Sequence, residues 1–116
     1  GDRLAVLSGD DSLTLPVLSV GGLGVISVVS NVVPADVTAL VARYLAGDVA
    51  AAARLHRKLF PLIKAMFVET NPIPVKAALA MLGMAAGEPR LPLVLLSDAG
   101  RRAVRAALVS YGLLKK

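Results

Sequence analysis

Two short runs, Leu4 to Leu7 and Val25 to Val29, lack the polar alternation of a half-wet strand, and nothing else in the chain restricts the fold as much. Strands that read this way are buried on both faces, as in a parallel sheet covered by helices. The first run closes on the polar turn Ser8-Gly9-Asp10-Asp11. Between the runs, Ser12 to Val20 reads as a short helix, with Ser12 as N-cap and Pro16 in or near the first turn, stopped by Gly21-Gly22. Strand, helix and strand with short connections form a βαβ unit, whose right-handed crossover sets the strands side by side. Two parallel strands cannot cover themselves, so strands from elsewhere are expected to complete the sheet.

From Pro34 onward the pattern is helical. Pro34 leads into a helix over Ala35 to Ala46, with Val37, Leu40, Val41 and Tyr44 on one stripe and Gly47 at its end. Asp48 is the N-cap of a second helix reaching about Phe67, with a bend expected near Pro61. Its apolar stripe is read as Val49, Ala52, Ala53, His56, Phe60, Ile63 and Phe67. Asn71-Pro72-Ile73-Pro74 is an extended turn, Val75 to Leu82 a short helix ended by Gly83, and Met84 to Pro92 a loop. A last helix starts at the Ser97-Asp98 cap and runs to about Tyr111, with Val104, Leu108 and Tyr111 inward and Arg101, Arg102 and Arg105 outward.

Composition argues for partners. A chain of 116 residues that is 56% hydrophobic and only 18% charged carries more apolar surface than so small a globule hides. An association partner is expected: a further part of the fold, a second subunit, or both. Cysteine is absent, which leaves no disulfide framework and no thiolate metal site and fits an intracellular, cytoplasmic setting. A net charge of +5 is compatible with an anionic partner, but Trp is absent and only Tyr44, Phe60, Phe67 and Tyr111 are available to stack on bases, so no nucleic acid is expected. Ser12 to Ala35 carries no charge and is long enough for a membrane helix. Pro16, Gly21, Gly22, Gly24, Asn31 and Pro34 break it up, and neither a membrane span nor a signal peptide is expected.

Three segments resemble a known family: Leu7-Ser8-Gly9-Asp10-Asp11, the run Gly22-Leu-Gly-Val-Ile-Ser-Val28, and Val68-Glu-Thr-Asn-Pro-Ile-Pro-Val-Lys76 with its two prolines two residues apart. Together they are similar to the last part of dihydrodipicolinate synthases, pyruvate-dependent lyases of lysine (diaminopimelate) biosynthesis. The likeness runs from the first residues to Leu114. It implies the final two βα units of a (β/α)8 barrel over residues 1–46 and a C-terminal helical extension over residues 47–116, the chain by itself being mostly helical. Reactive groups in such barrels cluster at the carboxyl ends of the strands. The resemblance makes the backbone carbonyl of Ile26 face bound pyruvate and lets the Gly9-Asp10 turn border the site. Asp10-Asp11 favours the synthase branch over the N-acetylneuraminate lyases, which more often carry Asp-Glu there.

Read as residues, Asp10 and Asp11 are capping and turn-forming groups before they are an acid and base pair, because neighbours after a strand point apart. Family chemistry needs a lysine that forms a Schiff base with pyruvate, and it lies on the sixth strand of the family's barrel. Lys58, Lys64, Lys76, Lys115 and Lys116 all fall on or beside expected helices, so none substitutes, and the chain alone is expected to be inactive with no catalytic residue of its own. The family's proton-relay tyrosines and threonine and its carboxylate-binding arginine are likewise outside the match. His56 is a structural residue, Lys76 anchors its turn or pairs with Glu69, and the arginines form a solvated face. Gly21-Gly22-Leu23-Gly24 precedes a strand and is not a phosphate loop. No metal and no cofactor is expected.

The partners implied are pyruvate and aspartate semialdehyde in the intact enzyme, the N-terminal barrel portion, and further copies in a homo-oligomer. Two other readings stand beside this one. Another pyruvate-dependent aldolase, such as an N-acetylneuraminate lyase or a keto-deoxy sugar acid aldolase, would use the same Schiff base on a different aldehyde. A non-catalytic helical interaction protein from a truncated gene would bind itself through exposed apolar faces.

Overall fold

The structure, a computed structural model, describes residues 4–84 and 88–115. Its packing groups the chain into two units, Gly1–Phe60 and Pro61–Lys116.

The first unit opens with the βαβ arrangement. Strand β1 (Leu7–Ser8) pairs in parallel with β2 (Gly24–Val25), Leu7 opposite Gly24 and Ser8 opposite Val25. Backbone bonds extend the ladder on both sides: Leu23 N donates to Val6 O and Ile26 N to Ser8 O, each at 2.8 Å. The connecting segment is a 3₁₀ turn over Asp11–Leu13 followed by helix α1 (Thr14–Ser19). Its N-cap is Asp10 and not Ser12. The Asp10 carboxylate is the acceptor, and Ser12 supplies the amide. Pro16 sits in the first turn of α1, where its missing N–H costs little. Gly21, at φ +97°, ends the helix, and the Gly22 amide bonds Val17 O at 2.8 Å. A β-carbon at Gly22 would stand 2.8 Å from that same carbonyl oxygen, so only glycine allows the approach.

Both strands are shorter than the apolar runs suggest. Leu4 is 83% exposed and Val6 and Leu7 are exposed as well, because a sheet of two strands leaves its faces bare among the described residues. The second strand ends at Val25 instead of Val29, where the chain turns into a 3₁₀ segment over Val29–Asn31. Helix α2 (Pro34–Leu45) packs on that segment and on α1, burying Val37 and Leu40, with Val41 and Tyr44 partly covered. Gly47 follows it at φ +85°.

Helix α3 (Val49–Met66) begins under the expected Asp48 cap, whose Oδ1 accepts from Ala51 N at 3.1 Å, and contains Pro61 without interruption. Its buried side chains in the first unit are Ala52 and Leu59, and Val49 and Phe60 are exposed. Ala52 is buried as expected, but the buried position near Pro61 is Leu59 and not Phe60, one place away.

In the second unit the last turns of α3 bury Leu62, Ile63, Ala65 and Met66, and Phe67 is exposed. Asn71–Pro72 is a cis peptide, and Ile73 and Pro74 already belong to α4 (Ile73–Met81) and not to an extended turn. Proline at the second helical position lacks an N–H that would have no intrahelical partner anyway. Gly83 follows at φ +71°. The expected loop from Met84 to Pro92 falls partly on residues 85–87, outside the described residues; around them the chain is irregular, with a second cis peptide at Leu91–Pro92. Helix α5 (Asp98–Tyr111) is capped by Ser97, whose Oγ accepts from Gly100 N at 3.1 Å, and packs on α4 through fully buried Val104 and Leu108. A β-carbon at Gly100 would stand 2.7 Å from Leu96 Cδ1 and against the Glu69 carboxylate, so a larger residue there requires both side chains to shift. Among the described residues no helix is long and apolar enough to cross a membrane.

Candidate functional site at the strand ends

The carboxyl ends of β1 and β2 lie side by side, and the polar residues after β1 organise both. The Ser8 hydroxyl donates to Asp10 O at 2.7 Å and accepts from Asp10 N at 3.2 Å, which closes the turn around Gly9. Asp10 points outward: its Oδ1 accepts from Ser12 N at 2.7 Å and Ser12 Oγ at 2.6 Å. Asp11 points inward and is 3% exposed. Its Oδ2 accepts from the Val28 and Val29 amides at 2.9 and 3.1 Å, and its Oδ1 from the Ser27 hydroxyl. Ser27 Oγ in turn accepts from Ser30 N at 2.9 Å, and Asn31 Nδ2 donates to Val28 O at 2.9 Å. The adjacent carboxylates thus have separate structural tasks, and Asp11 is why the second strand stops early: amides that would have joined a ladder are bound to its side chain.

Ile26 sits between these two anchors. Its N–H is bonded to Ser8 O, so its peptide lies beside the Ser8-Gly9 turn, and its side chain is 68% exposed. Gly9 has open space where a β-carbon would be. Ile26, Gly9 and Asp10 therefore share one exposed edge, whose chemistry is that of backbone groups and one exposed carboxylate. A broader hollow of about 490 Å³ lies between the strands and α2, lined by Leu7, Val25, Val37, Val41 and Leu45 with the hydroxyls of Ser27 and Ser30. No titratable side chain is among its lining residues, so it can bury apolar groups without supplying a titratable acid or base.

Within the first unit no described lysine stands at these strand ends. Lys58 on α3 pairs with Asp36 at 2.6 Å, Lys64 is also on α3, Lys76 is on α4 and Lys115 follows α5; Lys116 lies outside the described residues. Lys76 does not meet Glu69 as expected. Glu69 instead accepts from the Ser97 hydroxyl and, at 3.3 Å, from the Ser97 amide, tying the segment before α4 to the cap of α5. Arg101 borders a small hollow with Lys76 and Glu88, and Arg102 and Arg105 are exposed as expected.

His56 packs against Phe60, ring centroids 5.9 Å apart, with its Nδ1 buried and without a hydrogen-bond partner. Burial, with the Arg57 charge beside it, lowers its pKa below 6.5. The folded state then binds fewer protons than the unfolded state, so the contribution is full above about pH 6.5 and is lost as pH falls through the folded value. The His56 resonance is expected to titrate with a midpoint below 6.5, and His56→Leu to flatten the acid side of the stability profile. An NMR titration and denaturation of both proteins between pH 5 and 8 check this.

The arrangement has close relatives. A model of the dihydrodipicolinate synthetase family matches residues 1–110. The 4-hydroxy-tetrahydrodipicolinate synthase of Thermomicrobium roseum is 54% identical over 110 residues, covering 95% of this chain and 36% of that protein. That of Methanocaldococcus jannaschii is 52% identical over 112 residues, covering 97% and 39%. Among solved structures, dihydrodipicolinate synthase from Aquifex aeolicus superposes with a TM-score of 0.94 at 49% identity, covering 100% of this chain and 40% of that one. The Thermotoga maritima enzyme gives 0.92 at 51%, covering 95% and 37%. The chain thus spans less than two fifths of the length of the curated relatives named here.

Proposed function

Because the chain belongs to the dihydrodipicolinate synthetase family, we propose that it is the C-terminal segment of a lyase that condenses pyruvate, held as a Schiff base, with aspartate semialdehyde in lysine biosynthesis. In this reading residues 1–46 are the last two βα units of a (β/α)8 barrel and residues 47–116 its helical extension. The remaining strands come from polypeptide outside these residues. The lysine that attacks pyruvate, expelling the carbonyl oxygen as water, is on that polypeptide. This chain contributes the site wall: the Ile26 carbonyl toward pyruvate, with Gly9 and Asp10 bordering the entrance.

One observation carries the reading. Half the residues are identical to synthases over nearly the whole chain, and the fold superposes on a synthase over the chain's full length. The name common to these relatives favours aspartate semialdehyde over sugar-acid aldehydes as the second substrate. We assign the enzyme to the cytoplasm and to a homo-oligomer, the exposed apolar residues of the chain being compatible with such contacts.

The test is intact mass spectrometry after incubation with pyruvate and borohydride, which reduces a Schiff base to a stable amine. The mass of this chain alone is expected to stay unchanged, and the complete protein is expected to gain one adduct outside these residues. An adduct on Lys64 or Lys76 would overturn the assignment of roles. No adduct on the complete protein would overturn the enzyme reading.

A further inference from the structure

We propose that Asp11 is a positioning residue for the pyruvate subsite, acting by fixing the peptide between Ile26 and Ser27. The inference rests on pyruvate being the ligand at these strand ends. Ile26 is pinned on one side only by the strand ladder, through its N–H to Ser8 O at 2.8 Å. Beyond Ile26 the ladder ends, and the next three residues are all bound to one carboxylate: the Ser27 hydroxyl, the Val28 amide and the Val29 amide. Ser27 is further fixed because its Oγ accepts from Ser30 N and its carbonyl accepts from Ser30 Oγ. The direction of the Ile26 carbonyl is therefore set between two anchors, one made of backbone and one made by Asp11.

The carboxylate is suited to this because it only accepts, and all three groups aimed at it are donors. Asparagine has nearly the same shape, and its single oxygen can still take both amides. Its NH2 faces a hydroxyl that must rotate, so Asp11→Asn loosens the Ser27 end while keeping the chain folded. Small displacements of a positioning group weaken productive binding steeply. The defect belongs to pyruvate because Asp11, itself buried, acts only through the peptide whose carbonyl is assigned to that substrate.

The test places residues 1–110 in the Thermomicrobium roseum synthase in place of its matching part and compares the unmodified graft with Asp11→Asn and Ser27→Ala. The expected result is a KM for pyruvate raised roughly tenfold in Asp11→Asn and severalfold in Ser27→Ala. The KM for aspartate semialdehyde stays within twofold, and borohydride trapping recovers at saturating pyruvate. Folded variants with unchanged pyruvate KM, or with both KM values and kcat altered alike, would overturn the proposal. Should Asp11→Asn fail to fold, an unchanged pyruvate KM in Ser27→Ala overturns it equally. An unmodified graft that traps no pyruvate would sink the functional reading and this inference with it, which separates the two failures.

Discussion

Asp11→Ala is expected to lower the folding free energy by about 3 kcal/mol or more, against about 1 kcal/mol for Asp10→Ala next to it. The two residues are chemically identical and adjacent, yet they contribute through different physics. Asp10 is an exposed cap, and water replaces its oxygen when it is removed. Asp11 is buried, and its loss leaves the Val29 amide in a fully covered position with no acceptor and the Val28 amide partly covered. A buried donor left without a partner costs the full desolvation of that group, about 1–3 kcal/mol each. Urea denaturation of the two variants in parallel is the check, and equal losses would remove Asp11 from its place as the bridge between the strand ends.

Leu108→Ala is expected to cost about 2–5 kcal/mol, the range for removing a fully buried leucine side chain from a core that cannot collapse around the gap. Leu108 has no exposed surface and lies on the face of α5 that meets α4. Leu95→Ala is the control. That side chain is of the same type in the same unit but largely exposed, so its truncation is expected to fall within about 0.5 kcal/mol. Thermal or urea unfolding separates the two, and similar losses would mean that the second unit is not organised around the contact between α4 and α5.

Much of this was legible in the residues. The βαβ order, the Asp48 and Ser97 caps and the terminating glycines after α2 and α4 all follow local rules, and the structure has them where the rules put them. What local rules miss depends on partners distant in sequence. The apolar run through Val29 does not reveal that Val28 and Val29 give their amides to a side chain 17 and 18 positions earlier. On α3 apolar residues occur on several sides, so a spacing of three and four fits both the expected stripe through Phe60 and Phe67 and the observed one through Leu59, Leu62 and Met66. Lys76 is free in the sequence to anchor its turn or to meet a carboxylate such as Glu69, and nothing local reveals that Glu69 is held by Ser97, 28 positions on. At the strand ends, that Asp10 and Asp11 diverge was readable, and which of them turns inward was not.

The two-stranded sheet leaves rows of backbone donors and acceptors along the outer sides of β1 and β2, flanked by exposed Leu4, Val6, Leu23 and Ile26. Such rows template strand addition without regard to whose strand arrives. As long as those edges are uncovered, a second copy of the chain can add a strand to them as readily as any other segment with an unpaired edge, so self-association is expected to rise with concentration.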